Sequence, residues 1–135
     1  MQSVVIDTAM TDNLNYIFQT DYLDTEDPTG ARARNTFGIN QYLIYGISDC
    51  WAAGLRAEWW NVATEQFGAG SGNTDVYSLT GGLNYRPHAN VLIRPEIRWD
   101  WIKEDAADLD AAGVTFNEGN KSSQAAFGVD TIFLF

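Results

Sequence analysis

The sequence is poor in lysine, cysteine and histidine and has no long apolar run. Lys103 and Lys121 are the only lysines among 135 residues, and the formal net charge is −10. This charge argues against a nucleic-acid partner, because phosphate binding needs clustered cations. The single Cys50 excludes an internal disulfide. No stretch of 18 apolar residues occurs, so the sequence predicts no membrane-spanning helix, although β-barrel strands give no such signal.

The residues that enzymes use are equally sparse. His88 is the only histidine and falls in a predicted turn. The chain has no Ser-His-Asp arrangement, no GxSxG motif and no cysteine–histidine cluster. We therefore predict a protein that is not an enzyme, with no catalytic residue, no metal site and no cofactor.

Aromatic residues and glycine are abundant, with five Trp, six Tyr, seven Phe and twelve Gly. Side chains alternate in polarity with period two, which is typical of strands. The predicted strands are 3–8, 14–24, 36–47, 51–62, 75–86, 91–102 and 122–135. Short turns near 9–13, 48–50 and 87–90 alternate with longer polar loops at 25–35, 63–74 and 104–121. The pattern predicts an all-β antiparallel meander of about seven strands.

Aromatic residues recur in pairs eight positions apart, at the two ends of the apolar strand faces. Eight steps along a strand cover about 26 Å, or about 20 Å of height at a tilt of about 40°. That height is close to the apolar band between the aromatic girdles of a membrane barrel, so part of a transmembrane β-barrel in contact with lipid is predicted. The predicted girdle residues are Phe37, Tyr45, Trp51, Trp59, Tyr77, Tyr85, Trp99, Trp101 and Phe127.

The hairpin around Ser48 also has a predicted register. Pairing Tyr45 with Trp51 places aromatic residues opposite one another at both ends of the two strands. The predicted pairs are Tyr45 with Trp51, Leu43 with Ala53, Gln41 with Leu55, and Phe37 with Trp59. A slip of one residue would move every side chain to the other face.

The opposite strand faces carry the charged residues. The predicted pore-lining residues are Arg56, Glu58, Asn84, Arg94, Glu96, Arg98 and Asp100. Strand 75–86 lies between the two charged strands, and its small side chains should leave room for the long arginine side chains of its neighbours. Two interpretations stay open: a charged wall that selects solutes by sign, or charges that satisfy one another inside the barrel.

Three segments carry a family resemblance. Residues 42–60, 82–100 and 127–135 resemble the β-barrel porins described as OmpL-like. The resemblance implies a channel in the bacterial outer membrane for passive diffusion of small hydrophilic solutes or ions. It also implies that Phe133 and Phe135 form a signal read by the barrel-assembly machinery. Asp130 stands where such a terminal signal usually has glycine.

Two alternatives to the membrane barrel also explain the alternation. One is a soluble β-sandwich with a single buried face per strand, and the other is a lipocalin-like ligand-binding barrel. The large aromatic residues at both strand ends favour the membrane barrel over the sandwich. A lipocalin-like barrel also explains the aromatic residues, and a need for detergent in extraction would separate the membrane barrel from it.

Seven is an odd number of strands, whereas bacterial single-chain barrels have even numbers and both termini in the periplasm. If Phe135 lies in the periplasm, counting seven strands back along the chain places the first residue on the external side. Residues 1–4 also do not resemble a signal peptide. We therefore expect 1–135 to be the C-terminal part of one transmembrane barrel domain whose upstream strands are missing. The expected form is an open, curved sheet with the short turns in the periplasm.

Overall fold

The computed structural model describes residues 1–26, 28, 30, 32–66, 70–103, 116 and 121–134, without the side chains of 32, 33, 64–66 and 70–72. Seven strands occur in this part of the chain. They are β1 Gln2–Ala9, β2 Leu14–Glu26, β3 Arg32–Ser48, β4 Trp51–Gln66, β5 Gly70–His88, β6 Val91–Ile102 and β7 Ser123–Phe133. Not one helix in the described ranges has the length and apolar character needed to cross a bilayer.

The strands form one antiparallel sheet in chain order, β1-β2-β3-β4-β5-β6-β7. Each strand pairs with the next along the chain, and β1 and β7 lie at the two edges. This topology confirms the predicted seven-strand antiparallel meander. Within the described residues the sheet is open, as expected, because its order ends at β1 and β7 without joining them.

Two of the predicted loops are wrong in length. The structure continues β2 to Glu26 and begins β3 at Arg32, inside the predicted loop 25–35. In the same way, β4 reaches Gln66 and β5 begins at Gly70, inside the predicted loop 63–74. Backbone pairing continues past the apolar segment because ladder hydrogen bonds do not require a buried face. Of the predicted loop 104–121, only Phe116 and Lys121 lie within the described residues.

The predicted register of the β3–β4 hairpin is also wrong, by two residues. Tyr45 pairs with Ala53 and Ile39 with Trp59, and the register shifts between Gly46 and Ser48. The hairpin closes through the two turn residues Asp49–Cys50, with Ser48 opposite Trp51. One extra residue of β3 between Ser48 and Gly46 then places Gly46 opposite Ala52. A shift of two preserves the faces, so the side-chain alternation of both strands stays as predicted.

The two faces of the sheet differ strongly in exposure. On one face large apolar side chains are open, for example Ile97 at 59 % and Phe127 at 72 %. On the other face Ser78 is only 2 % exposed, although no second layer of described structure covers it. A flat single-layer sheet would expose both faces equally. We conclude that the sheet curves toward its polar face, where long polar side chains cover short ones.

The buried apolar core is correspondingly small. Among the described residues only Val62 and Ile102 are buried hydrophobic side chains. The buried polar residues are Asp21, Thr36, Asn40, Thr74, Ser78, Thr80 and Asp100. The sheet therefore buries polar groups and exposes apolar ones, the reverse of a soluble domain.

Candidate functional site: the polar face

A continuous row of hydrogen-bonding residues crosses the polar face. Six strands contribute one residue each, and each residue is the direct register partner of the next. The row is Gln19, Asn40, Glu58, Ser78, Asp100 and Gln124. This order could not be derived from any single strand, because it depends on the register of five strand pairs.

Asp100 is the centre of this row. Its carboxylate accepts hydrogen bonds from the hydroxyl of Ser78, from Arg98 Nε at 2.7 Å and from Gln124 Nε2 at 3.0 Å. The side chain is only 8 % exposed. A buried carboxylate requires such donors, because burial without partners is costly. Asp100 thus connects β5, β6 and β7 through its two oxygens.

Arg98 spans three strands of the sheet. Its Nη1 lies 2.8 Å from Glu58 Oε2 on β4, and its Nη2 donates to Ser78 Oγ on β5 at 2.9 Å. The short Ser78 side chain lets the guanidinium pass over β5, as the sequence predicted for the small residues of this strand. The predicted residues Glu58, Arg98 and Asp100 therefore belong to one network.

Arg56 lies beside this network. Its Nη2 donates to Thr80 Oγ1 at 3.3 Å, and its Nε is 3.2 Å from Glu58 Oε2. The guanidinium carbon also lies 5.9 Å from the centre of the Tyr42 ring, within cation–π range. Glu58 thus stands between two arginines, which neutralise its charge.

Arg94 forms a separate and more open pair near the other end of β6. Its Nε donates to Asp130 Oδ1 at 2.9 Å, and its Nη2 lies against Asp130 Oδ2. Both side chains are about half exposed. The ladder on β6 therefore divides into a buried part at Arg98 and Asp100 and an open part at Arg94.

A hollow lies between these two parts. Gly54 pairs with Gly82, Gly82 with Glu96, and Glu96 with Gly128. The hollow has a volume of about 290 Å³, and Arg56, Asn84, Arg94 and Glu96 are among the residues that line it. The structure thus places the predicted residues Asn84 and Glu96 at the hollow rather than in the buried row.

The apolar face carries the predicted girdle residues. Trp51 stacks on Tyr85 with ring centres 4.2 Å apart, and Tyr77 stacks on Trp101 at 5.6 Å. Phe37 meets Trp59 edge-on at 5.9 Å, and Trp99 packs against Trp101 at 5.2 Å. Tyr45 is half exposed beside Ala53, and Phe127 lies opposite Ile97 instead of another aromatic residue. Their contact with lipid headgroups stays a prediction.

The arrangement of a charged inner face and an aromatic-flanked apolar face agrees with a comparison to known families. The family model described as "Putative beta-barrel porin-2, OmpL-like" matches residues 1–135. The chain belongs to this porin family. At family level this means an outer-membrane β-barrel channel, in a group of proteins that is generally not enzymatic. Comparison with curated proteins and with solved structures gave no match.

Several polar residues of the porin were not among the predicted pore-lining residues. Asp21 Oδ2 accepts from Gln19 Nε2 at 2.8 Å and from Asn40 Nδ2 at 3.3 Å, on the polar face of β2 and β3. The alternation in strand 14–24 places Gln19 and Asp21 on one face, which was the available signal. The sequence did not indicate that Asp130 is the partner of Arg94, because the two residues meet only through the register of β6 and β7.

Trp60 is a further missed residue on the polar face of the porin. Its ring lies over Gly38, its direct register partner, so closely that a Cβ at position 38 would collide with it. Position 38 therefore requires glycine, because a side chain there would collide with the Trp60 ring. An aromatic ring that covers a cross-strand glycine also shields the backbone at that point.

The C-terminal strand of the porin carries the predicted assembly signal. Phe133 is exposed on β7, and Phe135 lies outside the described residues. Asn90 Nδ2 donates to the carbonyl of Leu134 at 2.6 Å, which holds the end of the strand to the β5–β6 turn. Recognition of Phe133 and Phe135 by the assembly machinery stays a prediction.

Proposed function

We propose that this porin forms part of the wall of a channel through which small hydrophilic solutes or ions diffuse passively across the bacterial outer membrane. The observation that carries the proposal is the inversion of the two faces. Buried and paired polar groups line one face, while apolar side chains are exposed on the other. Arg56, Glu58, Asn84, Arg94, Glu96, Arg98 and Asp100 are the proposed lumen residues.

The same observation argues against a soluble ligand-binding barrel or sandwich. Such proteins keep apolar side chains inside and polar ones toward water. Here Ile97, Trp99 and Phe127 are more than half exposed, and Asp100 and Ser78 are buried. Lipid on the apolar face and water on the polar face satisfy both sets of residues.

Solute passage can be tested directly with porin purified from outer membranes. We expect detergent to be required for extraction, and the folded protein to run faster on gels before heating than after. In planar bilayers the porin should give conductance that rises with KCl concentration, and in liposomes it should admit small sugars faster than large ones. Purified folded porin that neither conducts nor admits sugars contradicts the proposal.

Orientation in the membrane can be tested with the native cysteine. Cys50 is exposed in the Asp49–Cys50 turn, which we propose to lie in the periplasm because short turns face that side. A bulky polyethylene-glycol maleimide should leave Cys50 unlabelled in intact cells and label it once the outer membrane is permeabilised.

The matched variant carries Cys50→Ser together with Pro28→Cys. Pro28 is exposed between β2 and β3, at the end of the sheet opposite to Cys50. This variant should be labelled in intact cells. Labelling of Cys50 but not of the introduced cysteine in intact cells would reverse the assigned orientation.

A further inference from the structure

The floor of the hollow on the polar face is made of glycine. Gly54 and Gly82 are direct partners across β4 and β5, and Gly82 pairs in turn with Glu96 on β6. A Cβ added at Gly54 would meet no atom within 4 Å, so the space above it is open. The Glu96 side chain therefore stands in a row whose neighbours have no side chains.

Charge pairing leaves Glu96 as the exception on this face. Residues 51–60, 77–85, 91–102 and 123–133 of β4 to β7 are all described. Within these ranges the polar face carries three arginines, Arg56, Arg94 and Arg98, and four carboxylates. Arg56 lies against Glu58, Arg98 against Asp100 and Glu58, and Arg94 against Asp130. Glu96 is the fourth carboxylate, and it makes no hydrogen bond or ion pair with any described residue.

The two arginines at the hollow do not cancel this charge. Arg94 Nε is 2.9 Å from Asp130, and Arg56 Nε is 3.2 Å from Glu58. Arg94 holds Asp130 through both Nε and Nη2, whereas no hydrogen bond or ion pair joins Arg94 to Glu96. A closely paired charge acts at a distance as a dipole, whose field falls faster than that of the single Glu96 carboxylate.

Two further carboxylates of the polar face have no arginine partner in the described structure, Asp7 on β1 and Asp21 on β2. Asp7 accepts a hydrogen bond from Asn15 Nδ2 at 2.7 Å and is not among the residues that line the hollow. Asp21 does not line the hollow either. It is buried and bonded to the amide groups of Gln19 and Asn40, so a solute cannot reach it. Glu96 is therefore the carboxylate that a solute in the hollow would meet.

We infer that Glu96 attracts and transiently binds small cations in the hollow and thereby gives the channel a preference for cations over anions. The inference rests on the proposed channel function and names the solute class that the channel favours. An exposed carboxylate in a roomy, water-filled hollow suits permeation, because it binds a cation strongly enough to admit it and weakly enough to release it.

The test is the reversal potential of the purified porin in planar bilayers under a KCl gradient. The unsubstituted channel should prefer K⁺ to Cl⁻. Glu96→Gln should lower the permeability ratio of K⁺ to Cl⁻ about two- to fivefold at low salt, and the difference should shrink near 1 M KCl. Stability should hardly change, since Glu96 holds no hydrogen-bonded partner.

Asp75→Asn is the matched control. It removes the same charge from the apolar face, where Asp75 accepts hydrogen bonds from Trp59 Nε1 and Asn61 Nδ2. Its reversal potential should equal that of the unsubstituted channel. The inference about Glu96 is wrong if Glu96→Gln leaves the ratio of K⁺ to Cl⁻ permeability unchanged, or if Asp75→Asn lowers that ratio equally. Neither result would contradict the proposed channel function. Failure of the unsubstituted porin to conduct overturns the proposed function as well.

Discussion

Replacing Leu55 by arginine is expected to destabilise the folded porin in a bilayer by about 2–4 kcal/mol. Leu55 lies on the apolar face of β4, midway between Trp51 and Trp59, and is 47 % exposed. In a bilayer this exposure is to hydrocarbon, so the guanidinium loses water and gains no partner. The measurement is the free energy of unfolding by urea in lipid vesicles, followed by tryptophan fluorescence.

Ile47→Arg is the control for depth. Ile47 is 56 % exposed but lies next to the Asp49–Cys50 turn, where an arginine reaches water. Its expected cost is about 0–1 kcal/mol. A soluble sheet would tolerate both substitutions, because both side chains would already be in water. Equal free energies of unfolding for the two variants would show that the apolar face does not contact lipid.

Asp100→Ala is expected to lower the free energy of unfolding by about 2–4 kcal/mol. The substitution removes the acceptor for Ser78, Arg98 and Gln124 at once. The Arg98 guanidinium keeps Glu58, which limits the loss. The expected readouts are a lower urea midpoint and loss of the fast-migrating gel band at a lower temperature.

Two variants separate this role from a general effect of charge. Asp100→Asn retains an acceptor oxygen and should lie between the alanine variant and the unsubstituted porin. Asp130→Ala removes an equal charge from an ion pair that is half exposed near the sheet edge, and such pairs contribute little. If Asp130→Ala lowered stability as much as Asp100→Ala, the buried network would not be the source of the effect.

These expectations also bear on the two interpretations of the charged ladder that the sequence left open. The structure divides the ladder by position. Arg98 and Asp100 lie in a network with buried partners, which fits a structural role. Glu96 has no hydrogen-bonded partner among the described residues, and Arg94 is half exposed beside it, which fits a role toward solutes. Spacing along one strand could not separate the residues, because all four share the same alternation.

The strands were predictable because each one alternates along its own length. Period two determines the face of a side chain wherever the strand lies in the sheet. The apolar and polar faces of β3 to β6 were therefore predicted from the sequence, and so was the antiparallel order of strands joined by short turns. The strand ends around Glu26 and Gln66 were not, because the apolar–polar alternation stops there while backbone pairing continues.

The sequence by itself thus determined the strands, their faces and the family of this porin. The tertiary structure alone decided which residues meet across strands. The register of β3 against β4 lies two residues from the predicted one, and nothing in the local alternation records this, since even shifts preserve the faces. The pairing of Arg94 with Asp130 and the isolation of Glu96 among glycines both follow from registers of this kind.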